Sequence, residues 1–348
     1  MVERARCAGK ARVVHTPEHT CIRLAADYWP NAPEEEGQII AEPQLEHFDR
    51  DRVKVIVTGA TGFVGPSVAN AIVDAGHEVR VLERKAGSWS KARIRCQEAL
   101  QGDMTDPESL KRAVAGRDAV VHLVAIRQGR KEEFQRVMIQ GTRSLIGAAK
   151  EAGVRRFVLM SALGANEETK DLVPYYNAKW TQDQDLRASG LEHVIFRPSF
   201  IFSGEGGILP MFRKLARAPV TPIMGEGTQK IQPIWIDDLA AYFAAGVDKP
   251  EAANRVFELG GPDQVSWNEF WERLKKALGV RRPSVHVPMA FMRLNALVTE
   301  RLPGNIPLTR DLLRMLEAGD NVVTTDDGVA TFQLPLVPLD EQLRRAAA

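Results

Sequence analysis

The segment from Val53 to Gly65, with the sequence VKVIVTGATGFVG, constrains the fold more than any other part of this chain. A short β-branched apolar run predicts a buried strand, and three glycines follow it in the pattern G-x-x-G-x-x-G. This spacing suits a sharp turn into a helix, with a backbone that can approach a diphosphate. The N–H groups and the dipole at the helix start favour the anion. The segment predicts a dinucleotide site, with an ordinary βα turn as the alternative.

Strands and helices alternate after this turn. The apolar runs that predict strands lie at residues 77–82, 99–100, 118–124, 156–160 and 193–196. Helices are predicted at residues 107–115, 132–152 and 175–188. Apolar strands that alternate with helices indicate a parallel sheet covered on both faces. The predicted fold class is α/β, a Rossmann-type doubly wound parallel sheet with a smaller C-terminal substrate lobe.

Changes in this rhythm divide the chain into three predicted parts. Residues 53–199 and 226–265 form the predicted NAD(P)-binding domain. Residues 200–225 and 266–348, where Pro and Gly separate shorter elements, form a smaller lobe for substrate or partner. Residues 1–52 lack an apolar period and are expected to be a flexible extension. A basic organelle transit peptide and a start codon placed too early are the alternatives for this extension.

The composition is that of a soluble globular protein, with 44% hydrophobic and 26% charged residues in a chain of 348. A net charge of +1 argues against a nucleic-acid partner. No apolar run approaches the roughly 20 residues of a membrane span, so no transmembrane segment is predicted. Three cysteines indicate a reducing compartment: the expected location is cytoplasmic, with organelle targeting or a position peripheral to a membrane complex as the alternatives. Cys7, His15, His19 and Cys21 match no ligand spacing, so no metal site is predicted.

Three side chains predict a hydride-transfer site downstream of the glycine turn. Tyr175 and Lys179 lie one turn apart on one face of a predicted helix. Ser161 follows a strand at the edge of the sheet where open α/β folds bind their ligands. A neighbouring ammonium group lowers the pKa of a phenol from about 10, so that Tyr175 can exchange a proton with a carbonyl or hydroxyl group. Lys179 can also bond the nicotinamide ribose, and Ser161 can orient the substrate oxygen.

Several stretches between Val53 and about Arg344 resemble the short-chain dehydrogenase/reductase superfamily, in its extended or atypical branch. The matching stretches are T-G-A-T-G-F-V-G (58–65), G-D-M (102–104), G-V-R-R-F-V-L-M-S-A (153–162), Y-Y-N-A-K (175–179), R-P-S (197–199), I-D-D-L-A (236–240) and F-E-L-G-G-P (257–262). Within this branch the chain is similar to the NADPH-binding accessory subunit of respiratory complex I and its bacterial relatives, and to the NAD-dependent epimerase/dehydratase group. The resemblance implies a Rossmann domain with a small C-terminal substrate lobe.

The resemblance also implies roles for individual residues. Tyr175 and Lys179 would be the catalytic pair, with Ser161 beside them. The glycines would contact the pyrophosphate, and Asp103 with Met104 the adenine. The full set of expected cofactor-binding residues is Gly59, Thr61, Gly62, Phe63, Val64, Gly65, Glu83, Arg84, Asp103, Met104, Val124, Lys179 and Pro198.

Two positions depart from the pattern of this family. Met138 stands where asparagine is frequent in the long helix, which argues against a water-mediated proton path through that helix. Ser203 replaces a usual glycine, so the local loop is expected to differ. His122, at the end of a predicted strand near the cofactor crevice, is expected to pack and form hydrogen bonds rather than to act as a base.

The residues after the second predicted strand leave the choice of cofactor open. Glu83 stands where an acid grips the ribose hydroxyls of NAD(H) and rejects a 2′-phosphate. Arg84 and Lys85 follow, and an arginine at this place pairs with the 2′-phosphate of NADP(H). The arginine favours NADP(H) by a small margin, with NAD(H) as the alternative.

These observations leave three functions open. The first is an NAD(P)-dependent oxidoreductase that acts on a carbonyl or hydroxyl group of an apolar small molecule. The second is a non-catalytic NADPH-binding subunit of a larger, complex I-like assembly, and the third is a sugar-nucleotide epimerase or dehydratase. The expected partners are a hydrophobic substrate and, for the second function, other proteins. A homo-oligomer is a further option.

An apolar segment at residues 288–302 has helical spacing and includes Phe291 and Leu294. It is expected to face the core of the smaller lobe or to line an apolar substrate pocket. A membrane-surface or partner-binding helix is the alternative, although only Arg293 and Arg301 make the segment basic.

Overall fold

The computed structural model describes residues 52–126, 128–299 and 309–347, together with residues 14–15 and 20–21. The chain divides into two compact units, Met1–Asp49 and Arg50–Ala348. In the first unit, strands β1 (Val14–His15) and β2 (Thr20–Cys21) pair antiparallel. The prediction of a flexible extension falls, apart from these strands and Arg52, outside the described residues.

The second unit contains the elements of the predicted fold. Its strands are β3 (Lys54–Thr58), β4 (Glu78–Glu83), β5 (Glu98–Gln101), β6 (Ala119–His122), β7 (Arg156–Met160), β8 (Glu192–Pro198), β9 (Ile201–Phe202), β10 (Thr221–Met224), β11 (Lys230–Ile231), β12 (Ile234–Trp235), β13 (Arg255–Leu259), β14 (Val265–Ser266) and β15 (Ser284–Val287). Its α-helices are α1 (Gly65–Asp74), α2 (Ser88–Lys91), α3 (Pro107–Val114), α4 (Lys131–Glu133), α5 (Gly141–Glu151), α6 (Pro174–Arg187), α7 (Leu209–Ala216), α8 (Ile236–Gly246), α9 (Trp267–Ala277), α10 (Met289–Thr299), α11 (Arg310–Glu317), α12 (Asp327–Phe332) and α13 (Leu339–Ala347). A π-helix (Phe134–Gln140) and a 3₁₀-helix (Pro250–Ala252) complete the described helices.

Seven of these strands form one sheet in which every neighbouring pair is parallel. Their order is β5-β4-β3-β6-β7-β8-β13. The chain moves outward from β3 to β5 and then crosses to the other side of β3, so the winding reverses between β3 and β6. The five strands predicted after the glycine turn all belong to this sheet, and the predicted α/β fold class is confirmed.

Helices cover both faces of the sheet, as its apolar strands require. On one face, α1 packs against α8, and their apolar residues share a core with the central strands. On the other face, the apolar residues of α3 and α5 form a second core. The strand β7 is buried along its whole length. Its successive side chains therefore enter opposite cores, Val158 the first and Phe157 the second.

The remaining strands of this unit form small pairs outside the sheet. β9 pairs with β12 and β10 with β15 in parallel, whereas β11 and β14 are antiparallel. Apolar residues of these strands join a third core, in which Phe212, Trp267, Phe270 and Trp271 make edge-to-face contacts. Such contacts add about 0.5–1.5 kcal/mol per pair beyond burial. This third core is separate from the two cores of the sheet, as a smaller lobe requires. The limits of the lobe, residues 200–225 and 266–348, remain a prediction.

The prediction of one continuous α-helix at residues 132–152 is wrong, because a π-helix interrupts it. The segment is a succession of α4, the π-helix and α5. Within the π-helix, hydrogen bonds join residues five positions apart instead of four. The Gln182 side chain of α6 donates to the Met138 carbonyl oxygen of this stretch at 3.0 Å. Periodicity in the sequence cannot detect a local change that accompanies such a distant contact.

A substitution at Gly65 tests how closely α1 packs against the glycine turn. A β-carbon at this position would lie 2.1 Å from the Ala60 carbonyl oxygen, so the Gly65→Ala variant must shift the backbone. We expect it to lose about 1–3 kcal/mol of unfolding free energy or more, as overpacked sites do. In the control Gly147→Ala, the β-carbon meets nothing within 4 Å, and we expect a gain of about 0.5–1 kcal/mol. Urea unfolding measures both changes in the free energy of unfolding. Equal changes in the two variants would contradict the close packing of α1 against Ala60.

Candidate active site

The glycine turn lies where the winding of the sheet reverses, between the carboxyl ends of β3 and β6. Gly59 follows β3 with a φ of +79°, in the left-handed region that favours glycine. A β-carbon on Gly59 would lie 2.8 Å from the Val124 amide nitrogen, so the segments after the two strands touch through their backbones. The structure thus brings together Gly59 and Val124, which the sequence assigns to cofactor binding.

Helix α1 begins at this turn without a capping side chain. Val64 precedes the helix, and its side chain makes no capping hydrogen bond. Thr61 and Gly62 are exposed in front of the helix start. An exposed backbone and an uncapped helix start suit an anion such as the cofactor diphosphate. The residues present therefore fit the group that the glycine pattern predicts.

Phe63 connects this turn to the segment after β9, which the sequence assigns to the smaller lobe. Its half-buried ring packs against Gly206 and Gly207, where β-carbons would come within 2.9 Å and 2.6 Å of ring atoms. Both glycines have positive φ, +85° and +66°, which other residues rarely adopt. The structure assigns the Phe63 side chain to packing and leaves its backbone in the turn predicted to bind the cofactor.

Glu83 directs its carboxylate into the loop that follows β4. It accepts hydrogen bonds from the Gly87 N–H at 2.8 Å, the Ser88 hydroxyl at 2.8 Å and the Trp89 N–H at 2.9 Å. Burial raises the pKa of this carboxyl, but these hydrogen bonds outweigh it and hold the pKa below its usual value. Arg84 is exposed. The Glu83 charge is thus satisfied within the protein, whereas the Arg84 side chain meets solvent.

The G-D-M segment after β5 (residues 102–104) contains Asp103, on which the charge of Arg84 acts. Asp103 accepts hydrogen bonds from the Thr105 N–H at 2.8 Å and from the Thr105 hydroxyl at 2.7 Å. Partial burial raises the pKa of Asp103, but these bonds and the charges of Arg84 and Arg136 hold it below its usual value. Met104 is buried. Asp103 thus lies within reach of the Arg84 charge, and the Met104 side chain belongs to the core.

His122 is the centre of a buried polar chain. Its Nδ1 lies 2.6 Å from the Thr58 hydroxyl, and its Nε2 lies 2.9 Å from the Thr142 hydroxyl. Gln182 donates to the Thr142 hydroxyl at 2.6 Å. Burial, assisted by the Lys179 charge, lowers the pKa of His122 to about 3, so the imidazole is neutral. The prediction that His122 packs and forms hydrogen bonds is confirmed. Nothing in the sequence identified Thr58, Thr142 and Gln182 as members of this hydrogen-bonded group.

The Lys179 side chain of α6 is fully buried, and its ammonium group lies at the end of β7. Its ammonium group donates to the Met160 carbonyl oxygen at 2.6 Å. Burial lowers the pKa of Lys179 to about 8, and the charge of Asp183, one turn further along α6, opposes this shift. Asp183 is buried too, and it accepts hydrogen bonds from Arg197 at 2.9 Å and 2.7 Å. A buried ion pair therefore lies one turn beyond the lysine.

Ser161 is buried next to this ion pair. Burial raises the pKa of Asp183, against the Arg197 charge, the nearby Ser161 hydroxyl and the Lys179 ammonium. Ser161 Oγ and Asp183 Oδ1 have no hydrogen bond of ordinary geometry with the described protein atoms. The structure thus brings Ser161 and Lys179 together around Asp183, inside the protein rather than at an open surface.

Tyr175 lies one turn before Lys179, near the start of α6. It is half-buried and packs against two apolar clusters, one that includes Met138 of the π-helix and one that includes Ala162, just after β7. The neighbouring Tyr176 is more buried, and burial raises the pKa of Tyr176 to about 12. Tyr175 is thus the more exposed of the two phenols.

Two cavities and one predicted residue lie apart from these groups. A cavity of about 540 Å³ adjoins Gly260 after β13, and one of about 580 Å³ lies between α1 and α8. Neither is lined by the glycine turn or by Tyr175. Pro198, predicted to contact the cofactor, is buried at the end of β8. The chemically equipped residues, and not these cavities, define the candidate site.

Known proteins are similar to this chain in sequence and in fold. A family model described as NAD(P)H-binding matches residues 59–214. A ceramide reductase of Caulobacter vibrioides is 30% identical over 236 residues, which cover 67% of this chain and 73% of that protein. The mitochondrial NADH dehydrogenase (ubiquinone) 1 alpha subcomplex subunit 9 of Rattus norvegicus is 25% identical over 309 residues, or 84% of this chain and 80% of that protein. The fold matches the NADPH-dependent quinone oxidoreductase of Escherichia coli, solved with NADPH, with a TM-score of 0.69 and 20% identity over 83% of this chain and 98% of that one.

The chain belongs to the NAD(P)H-binding short-chain dehydrogenase/reductase superfamily, in its extended or atypical branch. The predicted family and the NAD(P)(H) cofactor class are confirmed, and at this coarse level the protein is an NAD(P)-dependent oxidoreductase. The roles of individual site residues stay predictions. Within the described part of the chain, no helix combines the length and apolarity needed to cross a membrane.

The buried imidazole of His122 predicts an acid-sensitive fold. Its pKa is about 3 in the folded protein and about 6.5 in the unfolded chain. The unfolded chain therefore binds more protons between these values, so stability is lost as the pH falls below about 6.5. At pH 5 this loss amounts to about 2 kcal/mol relative to neutral pH.

Urea unfolding of the wild type and of His122→Asn at neutral pH and at about pH 5 measures this contribution. We expect the variant to be less stable at both values, because it loses the bonds to Thr58 and Thr142. We also expect its loss between the two pH values to be smaller than that of the wild type by about 2 kcal/mol. Identical losses in both proteins would show that His122 is not the responsible group.

Proposed function

We propose that this protein is an NADP(H)-dependent oxidoreductase that acts on a carbonyl or hydroxyl group of an apolar small molecule. The observation that carries the proposal is the placement of Tyr175 and Lys179 one turn apart on α6, with Lys179 Nζ bound to the end of β7. This is the edge at which open α/β sheets bind their ligands. A buried ammonium with a strongly lowered pKa is also typical of functional sites.

The proposed chemistry is divided between cofactor and protein. The nicotinamide cofactor, when bound, supplies or accepts the hydride. Tyr175 donates a proton to the carbonyl oxygen in the reductive direction and accepts it in the oxidative one. The Lys179 ammonium favours the phenolate and so lowers the pKa of Tyr175. Asp183 opposes the effect of burial on Lys179 and keeps the ammonium charged near neutral pH.

Ser161 receives a different role from the one expected. Its buried hydroxyl lies beside Asp183, whose carboxylate pairs with Arg197. We therefore assign Ser161 to the support of the Asp183–Arg197 ion pair and not to the substrate oxygen.

The preference for NADP(H) is supported by the two residues at the end of β4. The Glu83 carboxylate, which would repel a 2′-phosphate, is already bonded to three donors of its own loop. The exposed Arg84 guanidinium presents planar donors that match phosphate oxygens. Together they favour the phosphorylated cofactor.

An apolar substrate is supported by the surroundings of Tyr175 and by one relative. Tyr175 packs against two apolar clusters, which include Met138 and Ala162. The relative from Caulobacter vibrioides is a ceramide reductase, which is named for a lipid. A long-chain carbonyl compound is therefore the substrate class to test first.

Two observations favour a second candidate, a non-catalytic NADPH-binding subunit of a larger assembly. The chain is similar to a complex I subunit over most of both sequences. Met138 also stands where asparagine is frequent in this family, and the Ser161 side chain is buried. Cofactor exchange separates the candidates, since a subunit would keep NADPH until it unfolds and would never turn it over.

Tyr175→Phe tests the proposed proton transfer. We expect kcat for NADPH oxidation with a long-chain ketone to fall about 10²–10⁴-fold, because the general acid is lost. NADPH affinity should stay unchanged. The control is Tyr176→Phe, which removes a neighbouring buried phenol from the same helix and should retain kcat. If Tyr175→Phe keeps the wild-type kcat, the mechanism is wrong.

Arg84→Ala tests the cofactor preference. We expect the Kd for NADPH to rise about tenfold, since a charge-assisted bond to the 2′-phosphate is lost, and the Kd for NADH to change by less than about twofold. Arg155→Ala, which removes an exposed arginine just before β7, is the control. Fluorescence titration measures all these constants. An equal effect on both cofactors would rule out the phosphate contact.

A further inference from the structure

The exposed apolar side chains of the described residues are concentrated on one surface. Five large hydrophobic residues are exposed, and four of them lie on or next to β10, β15 and α10. Their exposed fractions are 43% for Val220, 50% for Val285, 61% for Phe291 and 59% for Leu294. Isolated apolar residues on a surface are ordinary, but a contiguous patch marks an interaction site.

The pairing of β10 with β15 aligns apolar residues on one side of the strand pair. The register places Pro222 beside Val285, and side chains two residues apart share a side. The outward side carries Val220, Pro222, Val285 and Val287, whereas Met224 at its end is half-buried and packs against the third core. Thr221 and Ile223, which project from the other side of β10, are buried. On β10 one side of the strand pair is thus buried, whereas on β15 the same side carries the exposed His286. The opposite side presents apolar residues, of which Val220 and Val285 are exposed.

Helix α10 continues this surface. It begins two residues after β15, and its Met289 lies against Gly225, which follows β10. Phe291 and Leu294 lie opposite the fully buried Ala296, so they point away from the protein. The position predicted for this helix, facing the core, is therefore wrong for Phe291 and Leu294.

Three arginines lie at the other end of this surface. Arg217 precedes β10, and Arg281 with Arg282 precedes β15. Because the two strands are parallel, these arginines reach the same end of the pair. All three are exposed, and none forms an ion pair with an acidic residue of the described chain. The apolar surface is thus bordered by positive charge without a counter-ion in the protein.

We propose that this surface, made of the outward side of β10 and β15, Phe291, Leu294 and the three arginines, docks on a bilayer that contains anionic phospholipids. Apolar side chains would enter the boundary between headgroups and acyl chains. The guanidinium groups would bind headgroup phosphates, with which arginine forms paired hydrogen bonds. We call this surface the membrane-docking face.

Charge complementarity selects this occupant. A second copy of the chain would bring the same three arginines to the contact and leave them without anions, since a symmetric interface repeats one surface. An anionic bilayer supplies both the phosphates and the apolar layer that this face needs. The inference does not depend on the proposed reaction, because none of these residues lies in the glycine turn or beside Tyr175.

Co-sedimentation of the full chain with vesicles tests the proposal. We expect binding to phosphatidylcholine vesicles with about 30% phosphatidylglycerol, little binding to pure phosphatidylcholine, and release in about 0.5 M NaCl. The double variant Arg281→Glu/Arg282→Glu should partition at least about tenfold less. Phe291→Ser/Leu294→Ser should show a loss of similar size. Circular dichroism establishes that each variant is folded.

A matched control keeps the charge change and moves it elsewhere. Arg112→Glu/Arg155→Glu reverses two exposed arginines away from this face and should bind vesicles like the wild type. An equal loss in this control would attribute binding to net charge and overturn the proposal. Absence of binding, or equal binding to both kinds of vesicle, would overturn it too. So would a dimer that Phe291→Ser/Leu294→Ser dissociates without any vesicle binding, because a second copy would then be the occupant.

Discussion

The close contact between the glycine turn and its surroundings is the constraint on which the site depends. Gly65 leaves no room for a side chain against Ala60, and Gly59 leaves none against Val124. Since the turn joins β3 to α1 and touches the segment after β6, it holds both halves of the sheet at one place. Phe63 extends this connection to the smaller lobe through Gly206 and Gly207. A shift of this turn would therefore disturb the predicted anion site, the sheet and the segment that contains Gly206 and Gly207 together.

Burial controls the charges around this turn. His122 stays neutral because burial and the Lys179 charge both oppose its protonation. Lys179 shares its helix with Asp183, which Arg197 in turn neutralises. The result is a neutral polar chain below the glycine turn and a charged group beside Tyr175. Desolvation favours the neutral imidazole of His122 but opposes the charge of Lys179, which the nearby Asp183 carboxylate supports.

Two acids show how local surroundings change what a residue type can do. Glu83 occupies a position suited to a ribose, but three donors of the following loop use its carboxylate. Asp183, four residues after Lys179, pairs with Arg197 instead of meeting solvent. On α10 the converse holds, because the apolar side chains of Phe291 and Leu294 are exposed whereas Ala296 is fully buried. The proposed cofactor preference and the proposed membrane docking both rest on these departures from the simple pattern.

Local pattern in the chain was sufficient to predict the glycine turn, the five strands that follow it, the Tyr175–Lys179 spacing and the family. Each of these rests on neighbouring residues, whose backbone and side-chain periods are set by sterics within a few positions. The partners of Glu83, the burial of Ser161, the π-helix and the exposure of Phe291 were settled by folding. They arise from contacts between distant segments, as between Gln182 and the Met138 carbonyl, 44 positions apart. No period in the sequence encodes such contacts, because they exist only once the sheet has brought its helices together.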